Sequence, residues 1–147
     1  MELPISLLSS AADEGDIFFF TSDCPVGIAD HLHICIKHAD QIVLMSTCSS
    51  QIDTAFRMAK LQGYDMNTFP VFTQNKDNQF RKPQTYVNCN KVIELSDDEF
   101  GNLLKRGKIH KLDGHIDKNG LDIIAKGIIL SPDIERRIKR LFNPNTP

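Results

Sequence analysis

The sequence lacks the features that mark several large classes of protein. It has no apolar run of about 20 residues, which a membrane-spanning helix needs. Its first residues contain acids and no basic stretch, unlike a secretory signal peptide. Its four cysteines include no C-x-x-C pair. We therefore expect a cytoplasmic protein whose thiols are reduced and mostly buried as small apolar groups.

The chain also lacks an excess of positive charge. It has 17 Lys and Arg against 19 Asp and Glu, a formal net charge of -2, so its charge alone gives no reason to expect nucleic-acid binding. No internal repeat or low-complexity stretch is present. With 147 residues, of which 41% are hydrophobic, the chain has the size and composition of one ordinary globular domain.

The first two-thirds of the sequence consists mainly of short apolar segments separated by turn residues. Ile17 to Thr21 has the composition of a buried strand, and His31 to Lys37 alternates apolar with other side chains. Gln41 to Thr47 follows after a tight connection. Three short strands joined by short turns predict an antiparallel meander. Further strands are predicted at residues 69–74, 85–88 and 91–95.

In the last third of the sequence, apolar residues recur at the spacing typical of helices. Ser96 and Glu99 have the spacing of a capping box, Asp117 predicts the start of a second helix, and Ser131-Pro132 predicts the start of a third. Earlier in the chain, residues 54–64 read either as a short helix ended by Gly63 or as a segment that covers an edge of the sheet. Strands followed by helices predict an α+β fold.

Two histidines on alternate positions of a predicted strand are the first candidates for function. His31, His33 and Cys35 share one face of that strand, so both imidazoles can be presented to one surface. Such a pair could act as general acid and base, bind phosphate or ligate a metal. The alternatives are a solvated strand face and a histidine bonded to a loop carbonyl. A zinc site that adds Cys24 and Cys48 is conceivable, but the spacing matches no compact ligand pattern, and we predict no metal and no cofactor.

Hydroxyl and basic side chains supply the remaining candidates. Ser49 and Ser50 end the third strand, where a hydroxyl could hydrogen-bond a phosphate oxygen or form an ordinary Ser-rich turn. The polar loop at 75–83 carries Lys76, Arg81 and Lys82. Beside this loop, two aromatic residues could stack on bases or belong to the core, and a basic stretch at 105–111 could follow an RNA backbone or only face water. The aromatic residues that could stack on bases are Phe80 and Tyr86.

Taken in order, these segments resemble the MazF/PemK-like toxins. In that family the first strand follows a Gly-Asp pair, matched here by Gly15-Asp16. An Arg-Pro pair opens the second strand, where this chain has His31-Leu32. A Thr or Ser two places before a Gln closes the third strand, matched by Ser49 and Gln51. Residues 86–95 resemble the late strand pair of those toxins, and the similarity extends over residues 12–130.

The resemblance implies a fold, which we adopt as the expected one. It is a small SH3-like antiparallel β-barrel with two or three C-terminal helices. We expect a single domain over residues 1–147, with the barrel at about 12–95 and the helical part at about 96–142.

The resemblance also implies a function: a metal-independent endoribonuclease that cleaves single-stranded RNA. His31 and Ser49 then occupy the positions of the family's catalytic pair, with His33 as a helper, because an imidazole here replaces the family's permanently charged guanidinium. The predicted RNA-binding residues are Lys76, Arg81, Lys82 and Gln51. A homodimer and an antitoxin protein partner are implied as well. The alternative is a non-catalytic barrel that binds nucleic acid or a protein partner in a phage or mobile-element system.

Overall fold

The computed structural model describes residues 12–24 and 27–147, and residues 23, 24 and 27–29 by their backbone alone. The strands are β1 (Asp16–Cys24), β2 (Gly27–Ala39), β3 (Ile42–Ser49), β4 (Val71–Thr73), β5 (Gln84–Ser96) and β6 (His110–His115). The helices are α1 (Ile52–Gln62), α2 (Asp97–Lys105), α3 (Lys118–Leu130) and α4 (Arg136–Phe142), with a short 3₁₀ helix at Met66–Thr68. Within the described residues, no helix is both long and apolar enough to cross a membrane.

All six strands form one antiparallel sheet in the order β4-β5-β3-β2-β1-β6. The predicted α+β class is confirmed: the sheet curls into a half-barrel, and three helices follow β5 in the chain. The edge strands β4 and β6 do not pair with each other in the described part of the chain. Instead, the backbone N–H of His115 donates to the carbonyl of Asp77 at 2.9 Å. The loop after β4 therefore meets β6 where strand pairing stops.

The sheet separates two apolar layers, because successive side chains of a strand point to opposite faces. On one face, Ile17, Ile34 and Val87 pack with Ile124 and Ile128 of α3 and with Ile138 of α4. On the other face, Phe18, Phe20, Cys35 and Met45 pack with Phe100 of α2. The predicted division of β2 into two faces is thus observed, and both faces are covered.

Three helix boundaries agree with the predictions made from the sequence. The Ser96 hydroxyl accepts from the Glu99 backbone N–H at 3.0 Å, and the Glu99 carboxylate accepts from the Ser96 N–H at 3.2 Å. Asp117 accepts from the N–H of Gly120 at 2.8 Å at the start of α3. Gly63 ends α1 in the left-handed conformation, with φ of 72°, which costs a glycine little. Residues 54–64 are therefore mainly helical.

Three local features differ from the predictions. The strands predicted at 85–88 and 91–95 are one strand, β5, in which a bulge replaces the expected break: Cys48 pairs with Val87, whereas Ser46 pairs with Val92. Strand β6 lies where the resemblance implied a closing strand or turn, but its own sequence does not predict a strand, because five of its six side chains are exposed and leave no apolar alternation. Helix α4 begins at Arg136 instead of Ser131-Pro132, because Ser131 serves as the C-cap of α3.

Candidate functional site

The pairing of β2 with β3 brings the first two candidate residues of the site together. Leu32 pairs with Cys48 and His33 with Thr47, so continuing the register by one residue places His31 opposite Ser49. Residues directly opposite each other in an antiparallel pair have Cβ atoms about 4.5–5.5 Å apart and share a face. The two residues that matched the toxin family's catalytic pair are therefore neighbours at the end of β3.

A cavity of about 690 Å³ lies at this end of the sheet, between β6 and the loop after β4. Its volume is in the range of about 300–1,000 Å³ that is typical of ligand sites. It is bordered by five of the predicted site residues, which come from three separate segments of the chain. These are His31, Ser49, Gln51, Arg81 and Lys82.

The cavity combines an apolar floor with a charged rim. Ile17, Cys48 and Phe80 belong both to its lining and to the core of the protein. The rim carries the cations Arg81 and Lys82 and the carboxylates of Asp30 and Asp113. Sequence reasoning missed Asp30 and Asp113, together with Phe19, Gln79 and Leu112 of the same lining. These residues carry no local motif, and only the pairing of β1 with β6 and the return of the loop bring them together.

His31 borders the cavity with an unpaired ring atom. Its alternation along β2 places its side chain on the face opposite to that of Leu32, so the imidazole lies at the edge of the cavity and does not form its floor. The Nε2 atom is buried and has no hydrogen-bond partner among the described residues. A buried polar atom without a partner costs about 1–3 kcal/mol, so a turn of the ring that lets this nitrogen pair with a bound group would be favourable.

The Ser49 hydroxyl is oriented by the turn that follows β3. Its Oγ accepts a hydrogen bond from the backbone N–H of Gln51 at 3.2 Å. The hydroxyl hydrogen is not used by this bond, since the oxygen acts as the acceptor. Alternation along β3 places the Ser49 side chain on the face opposite to that of Cys48. Like His31, Ser49 therefore borders the cavity at its edge, with its hydroxyl hydrogen free of this bond.

His33 is not part of the cavity, and the expectation that both imidazoles lie on one open surface is wrong. Its side chain is fully buried, its ring stacks on Phe20 with 3.6 Å between ring centroids, and its Nε2 is 2.7 Å from the Ser22 hydroxyl. Burial lowers the pKa of His33 from 6.5 to about 4 because the charged form loses its hydration. At neutral pH it is an uncharged, enclosed side chain.

The remaining candidates are Lys76, the two aromatic residues and the basic stretch at 105–111. Lys76 is exposed in the loop after β4 but does not line the cavity. Phe80 and Tyr86 are buried, so the alternative that these aromatic residues belong to the core is the one observed. In the basic stretch at 105–111, Lys111 lies 3.3 Å from the carboxylate of Asp16. Of these residues only Phe80 lines the cavity, where it belongs to the apolar floor.

The arrangement of thiols gives no support to the zinc alternative. Within the described residues, no group of three or more His, Cys, Asp or Glu is placed to hold a metal ion. Burial raises the pKa of the Cys48 thiol, and it raises that of Cys35 and of Cys89 to about 12. These thiols are protonated at neutral pH, as buried cysteines in apolar surroundings are. The side chain of Cys24, a further member of that alternative, lies outside the described residues.

The wall between β6 and the loop after β4 requires a glycine at position 114. A methyl group on Gly114 would overlap the backbone carbonyl oxygen of Asn78. We expect Gly114→Ala to push the loop away from β6 and to lower the free energy of unfolding by about 1–3 kcal/mol, as overpacking does. Urea unfolding followed by circular dichroism measures this loss. The control is His110→Ala, a change at an exposed position on the same strand, and equal stability of the two variants would contradict the close contact.

Comparison with models of known protein families gives no match, and comparison with curated protein sequences gives no significant match. The resemblance to the MazF/PemK-like toxins therefore stays a prediction from short sequence segments.

Proposed function

We propose that the protein is a MazF/PemK-like endoribonuclease that cleaves single-stranded RNA at this cavity without a metal ion. The observation that supports the proposal is the convergence of His31, Ser49 and the two cations Arg81 and Lys82 on one cavity. An imidazole, a hydroxyl donor and fixed positive charges are the groups that phosphodiester transfer to the 2′-oxygen requires. The cytoplasm, where RNA is abundant and thiols are reduced, is the proposed location.

The proposed reaction is an internal transfer of the phosphodiester. The His31 ring turns so that Nε2, which is buried in the unliganded arrangement, reaches the cavity and accepts the proton of the ribose 2′-hydroxyl. The 2′-oxygen forms a bond to phosphorus, and the bond from phosphorus to the 5′-oxygen breaks. The products are a 2′,3′-cyclic phosphate and a 5′-hydroxyl. Because His33 is enclosed, the leaving 5′-oxygen takes its proton from water at the open rim, and the hydroxide so formed takes the proton held by His31.

The other residues of the rim stabilise the charge that develops on the phosphate. Arg81 offers a planar pair of donors suited to two phosphate oxygens, and Lys82 adds a second positive charge. Ser49 donates its hydroxyl hydrogen to a phosphate oxygen, since its lone pair already accepts from the Gln51 N–H. Gln51 itself stays close to the site through this bond.

The test is incubation of the purified protein with labelled single-stranded RNA in the presence of EDTA. We expect fragments that end in a 2′,3′-cyclic phosphate, and a loss of cleavage of about 10²- to 10³-fold in Ser49→Ala, the range seen when one charge-stabilising donor is removed. Arg81→Ala and Lys82→Ala are expected to weaken RNA binding and to reduce the slope of log K against log salt by about 0.7 each. Lys60→Ala and Lys126→Ala, exposed lysines outside the cavity lining, are the matched controls.

The enclosure of His33 supports a second candidate, a non-catalytic barrel that binds nucleic acid or a protein partner through the same cavity. With a single imidazole at the cavity, acid–base catalysis has fewer groups than the sequence predicted. RNA binding that depends on Arg81 and Lys82 without any cleavage would favour this candidate. If RNA is neither bound nor cleaved, both RNA proposals fail. The homodimer and the antitoxin partner are proposed on the resemblance alone.

A further inference from the structure

Two apolar side chains at the floor of the cavity are partly exposed, although neighbouring apolar side chains of the sheet are buried. Phe19 on β1 and Leu112 on β6 line the cavity and are each 38% exposed, whereas Ile17 and Phe18 are 1% exposed. Phe19 pairs with Leu32 on one side and with His110 on the other, so its backbone is fixed in the sheet. The cavity therefore presents an aromatic ring that is positioned by two neighbouring strands.

The wall beside this floor is held by hydrogen bonds of the Asn78 side chain. The Asn78 carboxamide oxygen accepts from the N–H of Phe80 at 3.1 Å, and its Nδ2 donates to the carbonyl of Thr73 at 3.0 Å. Gln79 has φ of 52°, a left-handed conformation that is uncommon for a residue with a side chain. Strained backbone of this kind is concentrated at binding and catalytic sites. A wall that is already ordered reduces the entropy lost when a ligand binds.

Two cations follow directly on this wall in the chain, whereas the carboxylates of the rim, Asp30 and Asp113, lie on β2 and β6. Arg81 and Lys82 line the same cavity as Phe19, so a ligand that places a flat apolar ring on the floor can place an anionic group at the rim. A nucleotide has both parts, since every base has a π-face and is linked to a phosphate through ribose. Stacking of unpaired bases on aromatic side chains is a principal way in which proteins bind single-stranded RNA.

We infer that the cavity binds one unstacked nucleobase against the ring of Phe19, with the adjoining phosphate at Arg81 and Lys82. The inference rests on the proposed function for the identity of the polymer, but a base-binding site can be tested with single nucleotides. It assigns to Phe19 the stacking role that the sequence had suggested for Phe80 and Tyr86, whose rings are buried in the core.

The absence of tryptophan from the chain allows a direct measurement. Phe19→Trp introduces a single indole at the floor of the cavity, and its fluorescence is titrated with AMP, GMP, CMP, UMP and ribose 5-phosphate. We expect saturable quenching by at least one nucleotide and none by ribose 5-phosphate, which has the phosphate but no base. Phe56→Trp is the matched control, because Phe56 is 43% exposed on α1 and does not line the cavity.

RNA binding provides the second measurement, by fluorescence anisotropy with labelled oligonucleotides at fixed salt. Phe19→Ala is expected to weaken binding by about 5- to 150-fold, the range for loss of one stacked base. The salt dependence should be unchanged, because no phosphate contact is removed. Phe19→Leu keeps an apolar side chain without the ring and should lose most of the same affinity. Thermal unfolding of each variant shows whether the sheet is intact.

The possible results separate this inference from the proposed function. RNA binding that requires Arg81 and Lys82, with no quenching in Phe19→Trp and no loss in Phe19→Ala, overturns the base site and leaves the RNA proposal standing. Quenching by nucleotides without any RNA binding supports the base site and overturns the RNA proposal. Equal quenching of Phe19→Trp and Phe56→Trp, or quenching by ribose 5-phosphate, overturns the base site.

Discussion

Replacing His31 by alanine is expected to lower the rate of RNA cleavage by about 10²- to 10⁴-fold, the contribution typical of a general acid–base group. His31 is the one histidine that borders the cavity, and its buried Nε2 has no partner among the described residues. Its loss removes the proposed acceptor of the 2′-hydroxyl proton while leaving Arg81 and Lys82 in place. The rate should therefore fall much more than the affinity for RNA.

Single-turnover cleavage with enzyme in excess measures this rate, and anisotropy measures the affinity. His31→Gln tests whether a neutral side chain of similar size restores folding without restoring cleavage. His115→Ala is the control, because His115 is exposed and is not part of the cavity lining. Cleavage by His31→Ala at the wild-type rate would remove His31 from the mechanism, whatever residue replaces it.

Acidification is expected to destabilise the protein through His33. Its pKa lies near 4 in the folded state, against the ordinary value of 6.5. Below pH 6.5 the unfolded chain binds a proton that the folded protein does not accept, so the free energy of unfolding falls as the pH is lowered toward 4. A difference of this size corresponds to about 3 kcal/mol, and above pH 7 the effect is absent.

His38 has the opposite effect on the pH dependence of stability, so its contribution has to be separated from that of His33. Partial burial lowers the pKa of His38, but hydrogen bonds to the Ala12 carbonyl at 2.6 Å and to the Asp97 carboxylate at 2.8 Å outweigh it, so that the net pKa is raised. Its contribution is therefore present below pH 6.5 and is lost as the pH rises through the folded-state value.

Urea unfolding between pH 4.5 and 7.5 in a His38→Gln background isolates the effect of His33. Adding His33→Gln, which keeps a polar group beside Ser22 but does not titrate, should remove most of the loss of stability at low pH. A pH dependence that is unchanged by His33→Gln would show that His33 is not enclosed as the structure has it.

Local sequence patterns determined much of the fold and part of the site. Alternation along β2 predicted the separation of Leu32 and Ile34 from His33 and Cys35, since the period of a strand is two whatever lies around it. The capping box at Ser96 and the glycine after α1 predicted helix ends, because backbone groups there are satisfied by residues close in sequence. The adjacency of His31 and Ser49 also follows from short-range information, a tight turn between two antiparallel strands.

Only the tertiary structure decided which polar residues are enclosed and which meet at the cavity. His31 and His33 are both histidines on the same face of β2, but the ring of Phe20 covers His33. No sequence pattern shows which side chain packs over a strand. Phe19, Asp113 and Gly114 meet the loop after β4 because β6 pairs with β1, although about 90 residues separate those strands in the chain. Burial and the convergence of distant segments depend on contacts across the whole fold, and these determine the chemistry of the site.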